Sequence, residues 1–307
     1  MKRDKWNAEH IPDLFGKVII VTGANAGIGF EASKEFLRHG AETILACRNE
    51  LKAMEAIRSI KKEIPEARAR YLHLDLGNLE SVKHFARDFS KLYSKLDILV
   101  NNAGIILRPY SLTDDGFESH IGINHLGHFA LTGHLFNLIK NTTEARIVNV
   151  SSLVYRKGKM DFENLLFEDG RGFSRIKAYG RSKLALLMFT YELDRRIQIA
   201  KFNVKAVAVH PGYSYTDFGR RTAASILKYA FYPAVRLITQ TQSMGALPTV
   251  RAAVDPGVAG ADFYGPGGRK EIKGFPVKVQ SNGVSYNPED AAKLWEISEE
   301  LTGVKYL

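Results

Sequence analysis

Apolar runs and amphipathic stretches alternate along the chain. Short runs of branched apolar residues are typical of strands buried on both faces, and stretches with helical spacing are typical of helices that cover a sheet. The pattern predicts strands over residues 17–22, 43–47, 69–74, 97–100, 146–150 and 204–209. It predicts helices over residues 27–39, 50–64, 79–93, 118–140 and 177–199.

This order predicts an α/β fold. Crossovers long enough to hold a helix imply a doubly wound parallel sheet with helices on both faces. No stretch rich in Pro, Gly or Ser divides the chain, so we expect one domain over residues 1–307. Residues 217–253 interrupt the alternation with helix-like segments and no strand. An insert of this kind after a parallel strand is expected to shape a ligand site, although packing in the core or at a subunit interface fits its apolar and aromatic side chains equally well.

Composition narrows the class of protein. With 45% hydrophobic and 25% charged residues, the chain can bury a large core, which excludes global disorder. A single cysteine, Cys47, excludes an intramolecular disulfide and a cysteine-based zinc or iron–sulfur site. The N-terminus lacks the apolar run of a signal peptide, and we find no uninterrupted apolar run long enough to span a membrane. We therefore expect a soluble, intracellular protein, cytoplasmic or in another compartment.

The formal net charge of +10 suggests an anionic ligand, a nucleic acid or an anionic membrane. The basic residues are scattered, and no base-reading motif accompanies them, so no nucleic-acid partner is expected. A weak membrane-surface contact through the apolar segment around Lys228 and Arg236 stays open.

The first predicted strand runs into a glycine-rich turn, TGANAGIG, at residues 22–29. Glycines let the backbone approach an anion, and the N-terminus of the next helix offers free N–H groups, so a pyrophosphate is the expected ligand. An acidic residue at the end of the second strand would select NAD, whereas an arginine accommodates a 2′-phosphate. Arg48 stands there, which favours NADP(H) over NAD(H). The candidate residues of the turn are Gly23, Asn25, Ala26, Gly27, Ile28 and Gly29.

Tyr179 and Lys183 are four residues apart on a predicted helix and share one face. A neighbouring ammonium lowers the pKa of a phenol, and such a pair can exchange a proton with a hydroxyl or carbonyl. Ser151 and Ser152 follow the fifth predicted strand, where a hydroxyl can bind a substrate oxygen. Taken alone, the spacing is weak evidence, because most such pairs lie on a helix surface.

In order along the chain, these motifs resemble the short-chain dehydrogenases/reductases, and within them the retinol dehydrogenase-like branch. The T-G-x-x-x-G-x-G, N-N-A-G, Y-x-x-x-K and P-G motifs match residues 22–29, 101–104, 179–183 and 211–212. The resemblance implies a Rossmann-type sheet of about seven strands, including one near residues 260–264, and a homodimer or homotetramer. It also implies that Asp75, Leu76, Asn102, Ala103, Gly104, Pro211, Gly212 and Thr216 bind the cofactor, together with Tyr179 and Lys183.

The same resemblance implies a mechanism without a metal. Tyr179 is the acid or base, Lys183 lowers its pKa and binds the nicotinamide ribose, Ser152 orients the substrate oxygen, and Asn124 holds a water that links Lys183 to solvent. The expected reaction interconverts a hydrophobic alcohol and its carbonyl, with a retinoid, steroid or long-chain aldehyde as candidate substrate. Two alternatives stay open: a double-bond reductase related to protochlorophyllide reductase, and a non-catalytic dinucleotide-binding regulator.

Overall fold

The computed structural model describes residues 5–213 and 239–307. Its strands form one sheet in the order β3-β2-β1-β4-β5-β6-β7-β8, parallel throughout except for β8, which runs antiparallel to β7. The order reverses between β1 and β4, and the carboxyl ends of strands at such a point are where α/β sheets bind ligands. The strands are β1 Val18–Thr22, β2 Glu42–Cys47, β3 Arg68–His73, β4 Ile98–Asn101, β5 Ala145–Val150, β6 Val204–Val209, β7 Phe263–Pro266 and β8 Pro276–Lys278.

Helices cover both faces of this sheet. Alternate residues of β1 point to opposite faces: Ile19 and Val21 pack in the cluster that holds α1, α2 and α7, whereas Ile20 packs in the cluster that holds α3, α5 and α6. The predicted doubly wound α/β fold is therefore confirmed. The helices are α1 Gly27–Arg38, α2 Glu50–Glu63, α3 Leu79–Leu92, α4 Ser119–Ile121, α5 Gly127–Lys140, α6 Arg175–Ile199, α7 Gln242–Val254 and α8 Pro288–Thr302.

Local chemistry sets the helix starts. Asn49 and Asn78 precede α2 and α3, and each side chain accepts a hydrogen bond from a backbone N–H in the first turn. The residue before α1 is Ala26, whose side chain makes no such bond. The first N–H groups of α1 thus keep the capacity to bind an anion, which fits its position at the switch point.

The structure adds two details to the predicted elements. The helix expected over residues 118–140 is interrupted by a π-helical segment, Gly122–Leu126, because there backbone N–H groups bond five residues back instead of four. The seven parallel strands agree with the expected number, and a short antiparallel strand, β8, adds an eighth at the edge.

The C-terminal part of the expected insert, residues 242–253, is a helix that packs in the core. Residues 242–253 lie in α7, whose Leu247, Val250 and Ala253 are buried in the core on the α1 side. This part of the segment therefore packs in the core, which is one of the two alternatives that the sequence left open for it. Residues 214–238, which hold the aromatic side chains of the insert together with Thr216, Lys228 and Arg236, lie outside the described part of the chain.

Candidate active site

A cleft of about 400 Å³ opens at the switch point of the sheet, above the carboxyl ends of β1, β2 and β4. Its lining includes twelve of the residues predicted to bind a cofactor: Gly23, Asn25, Ala26, Gly27, Ile28, Gly29, Arg48, Asp75, Leu76, Asn102, Ala103 and Gly104. Cys47 lines the cleft as well, and burial raises the pKa of its thiol to about 11. Residues from four separate loops therefore meet in one concave surface.

The glycine turn is shaped by two backbone requirements. Gly23 and Gly27 have φ values of +66° and +64°, which side-chain-bearing residues rarely adopt. A Cβ on Gly29 would lie 2.4 Å from the Asn102 side-chain amide nitrogen, so this glycine lets the start of α1 approach the loop after β4. The glycine turn thus packs directly against the N-N-A-G loop, with Gly29 beside Asn102.

Thr22 joins these two loops. Its hydroxyl oxygen accepts hydrogen bonds from the backbone N–H groups of Asn102, at 2.9 Å, and Ala103, at 2.8 Å. The Asn102 side-chain amide donates to the Thr22 carbonyl at 2.8 Å. Because Thr22 is fully buried, this network fixes the floor of the cleft.

Arg48 and Asp75 face each other at the outer end of the cleft. Arg48 Nη1 lies 3.5 Å from Asp75 Oδ2, and the Arg48 side chain is 72% exposed. The second carboxylate oxygen of Asp75 accepts from the Gly77 N–H at 2.9 Å. The arginine therefore keeps most of its surface available to a ligand.

Tyr179 and Lys183 lie on α6 and are both buried, with 5% and 4% exposure. Burial raises the pKa of Tyr179 to about 12, while a hydrogen bond with the Ser152 side chain acts in the opposite direction. Burial lowers the pKa of Lys183 to about 8. Lys183 Nζ donates to the Val150 carbonyl at 2.8 Å. Desolvation therefore outweighs the effect of Ser152 on the Tyr179 pKa, the lowering expected from Lys183 does not appear, and the phenol carries its proton at neutral pH.

Asn124 lies in the π-helical segment and is fully buried. Its side-chain oxygen accepts from the Ile105 N–H at 2.8 Å, and its amide donates to the Ile105 carbonyl at 3.1 Å and to the Ser182 hydroxyl at 2.9 Å. A Cβ on Gly104 would lie 2.9 Å from the Asn124 side-chain oxygen and 3.5 Å from Lys183 Nζ. Asn124 and Lys183 thus both border Gly104, which lines the cleft.

Sequence reasoning missed one buried residue of this network, His128. Its Nδ1 lies 3.0 Å from the Asn124 carbonyl, and its Nε2 lies 3.0 Å from the Thr22 hydroxyl. Burial lowers the pKa of His128 to about 3, so the ring is neutral. These contacts assign the proton to Nδ1, which donates to Asn124, while Nε2 accepts from Thr22. The available signal was its position four residues after Asn124, on the same helical face.

Pro211 and Gly212 follow β6, beside the strand that leads to Ser152. The Ser151 N–H donates to the Val209 carbonyl at 2.7 Å, which joins the two strand ends. Neither Pro211 nor Gly212 lines the cleft described above. Thr216 lies outside the described residues.

Comparison with known proteins agrees with this geometry. The short chain dehydrogenase family matches residues 17–226, which is more than half of the chain. The chain belongs to this family. Retinol dehydrogenase 14 of Mus musculus is 36% identical over 95% of this dehydrogenase and 87% of its own length. Retinol dehydrogenase 12 of Homo sapiens is 37% identical, over 95% and 88%.

Solved structures share the fold of this dehydrogenase. An uncharacterized protein from Mycobacterium paratuberculosis superposes with a TM-score of 0.83 at 36% identity, covering 99% of both chains. A short chain dehydrogenase from Shigella flexneri, solved with NADP, has a TM-score of 0.63 at 24% identity over 82% of this chain and 97% of its own, a likeness in fold alone.

Membership and relatives define the reaction class. This short chain dehydrogenase is an oxidoreductase that acts on CH–OH groups, of the retinol dehydrogenase-like branch. Within residues 5–213 and 239–307, no helix combines the length and apolar character needed to cross a membrane.

Proposed function

We propose that this dehydrogenase interconverts a hydrophobic alcohol and its carbonyl with NADP(H). The observation that carries the proposal is that Tyr179 and Lys183 are buried one helical turn apart on α6, with the partly buried Ser152 close enough to lower the pKa of Tyr179. Tyr179 would act as the acid, the Ser152 hydroxyl would bind the substrate oxygen, and Lys183 would supply a positive charge. Such a set of groups suits proton exchange with a substrate oxygen.

The cleft fits a dinucleotide. The uncapped start of α1 offers N–H groups to a pyrophosphate, and a Cβ on Gly27 would meet nothing within 4 Å, so the turn leaves room for a bound group. Asp75 and Leu76 would hold the adenine, and Lys183 would hold the nicotinamide ribose at the inner end. When bound, the nicotinamide supplies or accepts the hydride.

Arg48 supports the preference for NADP(H). Its guanidinium is mostly exposed, and its fork of N–H donors suits a phosphate. The strand end at Cys47 and Arg48 carries no carboxylate that would bind a ribose 2′-hydroxyl. Asp75 lies in the loop after β3, the strand next to β2, and pairs with Arg48.

The chain's own groups divide the proton chemistry. In carbonyl reduction, Tyr179 donates its phenolic proton to the substrate oxygen, and Ser152 holds that oxygen by a hydrogen bond. Lys183 stabilises the phenolate that results. Asn124, fixed by Ile105 and Ser182, holds the water through which Lys183 exchanges protons with solvent. In oxidation the same steps run in reverse, with Tyr179 as base.

Aromatic rings near Tyr179 support an apolar substrate. The His120 ring lies 6.3 Å from that of Tyr179 and 6.4 Å from that of Phe173, and Phe173 lies edge-on to Tyr110 at 5.3 Å. Phe173 and Tyr110 are half-buried, so they offer apolar surface that leads away from the acid. The curated relatives named retinol dehydrogenases also favour an apolar substrate.

The test is a substrate screen with both cofactors. Purified protein would be mixed with NADPH or NADH and a series of aldehydes and ketones, from short polar compounds to retinal, and cofactor oxidation would be followed by absorbance. The proposal expects turnover of apolar carbonyls with NADPH. Reduction of a conjugated double bond with the carbonyl intact would instead indicate a double-bond reductase. NADPH binding without turnover of any compound would indicate a regulator.

A further inference from the structure

The loop between the last two strands, residues 267–275, packs against the Pro211–Gly212 turn. The Tyr213 N–H donates to the Ile272 carbonyl at 2.9 Å. A Cβ on Gly212, whose φ is +64°, would lie 2.3 Å from that same carbonyl oxygen. Only glycine therefore lets the turn and the 267–275 loop approach this closely.

His210 lies directly before the turn and is fully buried. Its Nδ1 accepts a hydrogen bond from the Gly212 N–H at 3.2 Å, and its Nε2 lies 2.9 Å from Glu271 Oε2. Since Nδ1 must accept, the ring is neutral and carries its proton on Nε2, which donates to the carboxylate. Burial lowers the pKa of His210, in agreement with a neutral ring. A Cβ on Gly265 would lie 2.1 Å from His210 Nε2, so the ring is held in one place.

Glu271 adopts an unfavourable backbone conformation to reach this ring. Lys270 and Glu271 have φ values of +55° and +57°, which cost residues with a side chain about 1 kcal/mol or more each. The second oxygen of Glu271 accepts from Arg156 Nη2 at 2.9 Å. Arg156 lies four residues after Ser152, so one carboxylate connects the segment after Ser152 with the Pro211–Gly212 turn. Strain of this kind persists where surrounding contacts hold it in place, and it clusters at functional sites.

Gln240 holds the same turn from the other side. Its side-chain amide donates to the Pro211 carbonyl at 2.7 Å, and its side-chain oxygen accepts from the Gly274 N–H at 3.0 Å. Its backbone N–H donates to the Tyr213 carbonyl at 2.9 Å. The turn is thus fixed by contacts with His210, Gln240 and the 267–275 loop.

We propose that His210 and Glu271 are positioning residues for the nicotinamide end of the cofactor, which they place by holding the Pro211–Gly212 turn against the segment that carries Ser152. The proposal rests on the proposed function, since it takes the turn to contact the nicotinamide. It assigns no chemistry to His210 or Glu271 themselves, which act through the turn and through Arg156. The adenosine end of the cleft, more than one strand away, shares none of these contacts.

The test compares two ligands that share the adenosine end. NADPH reaches the turn, whereas 2′,5′-ADP carries only the adenosine half. In His210→Gln the side chain still reaches Glu271, but the acceptor for the Gly212 N–H is lost. We expect calorimetry to find NADPH bound about tenfold more weakly, and 2′,5′-ADP bound within about twofold of wild type. His125→Gln is the matched control, because His125 is an equally buried histidine that contacts Ser298 instead, at 2.8 Å.

A second variant separates positioning from stability. Glu271→Gly removes the carboxylate and its hydrogen bonds to His210 and Arg156, but it also relieves the left-handed backbone strain, so the two effects offset each other and thermal unfolding is expected near the wild-type temperature. We expect its NADPH affinity nevertheless to fall about tenfold and kcat to fall with it. A variant whose role was only structural would lose stability and both ligands together.

The outcomes distinguish the two proposals. If the wild type bound both ligands and the variants bound NADPH equally well, or lost both ligands to the same extent, the positioning role would be wrong and the proposed function would stand. If the wild type bound neither ligand, the proposed function would fail, and this inference with it.

Discussion

Arg48 Nη1 lies 3.5 Å from Asp75 Oδ2 at the outer end of the cleft, and it forms there the one ion pair described for Arg48 within residues 5–213 and 239–307. An exposed pair of this kind contributes about 1 kcal/mol or less, so a phosphate can replace the carboxylate as partner at little cost. The same two side chains can therefore bind different parts of one adenosine: Asp75 can bind the adenine, and Arg48 can bind a phosphate on the ribose 2′-oxygen.

Arg48→Ala is expected to raise the KM for NADPH by about tenfold to a hundredfold, because a charge-assisted hydrogen bond to the phosphate is lost. The KM for NADH should stay within about twofold. Steady-state kinetics with both cofactors gives the ratio directly. Arg58→Ala, which removes an exposed arginine on α2, serves as control. Equal use of NADPH and NADH by the wild type would contradict the preference.

Tyr179→Phe is expected to lower kcat by about a hundredfold to ten-thousandfold, because the proton donor is removed while the ring still fills its site. Cofactor affinity, measured by fluorescence of bound NADPH, should change little. Tyr191→Phe on the same helix loses only a hydrogen bond to Ser281 and should keep wild-type turnover. Wild-type kcat in Tyr179→Phe would rule out the assigned acid.

Lys183 gives a pH dependence of stability whose sign follows from its pKa. The folded value of about 8 lies below the ordinary 10.5, so between these values the unfolded chain binds more protons. The contribution of Lys183 to the free energy of unfolding therefore increases by about 3 kcal/mol as the pH rises from about 8 to 10.5. Lys183→Met should lose turnover, yet be more stable than wild type at pH 7, with the difference vanishing near pH 10.5. Urea unfolding across this pH range measures it.

The exposed Lys177, at the start of the same helix, provides the control for that series. Lys177→Met should follow the wild-type curve. A stability difference between wild type and Lys183→Met that was independent of pH would show that Lys183 keeps its ordinary pKa in the folded protein.

His128→Phe is expected to lower the free energy of unfolding by about 2 kcal/mol, because the Thr22 hydroxyl and the Asn124 carbonyl each lose the imidazole as a partner in the buried core. Turnover should fall as well, since Asn124 is no longer held. His125→Phe breaks one bond to Ser298 and should reduce stability without lowering kcat. Unchanged kcat in His128→Phe would mean that the position of Asn124 does not depend on this ring.

Phe173→Ala is expected to raise the KM for long apolar aldehydes about tenfold, because apolar contact area is lost beside Tyr179. The KM for a short aldehyde such as propanal should not change. Phe15→Ala removes a phenylalanine that is 75% exposed and contacts Arg68, so it is a suitable control. An equal effect of Phe173→Ala on long and short substrates would remove Phe173 from the substrate surface.

The fold was largely predictable because strands that are buried on both faces have continuous apolar sequences, as in β1 and β5. Two features were not. Gly122–Leu126 has the same apolar periodicity whether its backbone is α or π, and Pro276–Lys278 is too short for any pattern. Their positions are decided by packing, of Asn124 against Ile105 and of β8 against β7.

The site was predictable where motifs lie on strand ends, as for Thr22, Asn102 and Ser152. His128 was not, because its partner Thr22 lies 106 residues away in sequence. Glu271 was not, since its role depends on a left-handed backbone and on two partners, His210 and Arg156, from distant segments. Contacts of this kind exist only after the sheet has assembled.

The two edges of the sheet bear on how copies of this chain can associate. β3 carries Arg68 and Arg70, and β8 begins with Pro276 and ends with Lys278. Positive charge on the β3 edge, and a residue without an N–H on the β8 edge, oppose the pairing of strands between molecules. Part of the chain's excess of basic residues thus guards against edge-to-edge aggregation. Any association between copies of this dehydrogenase is accordingly expected to involve helix faces, not the edges of the sheet.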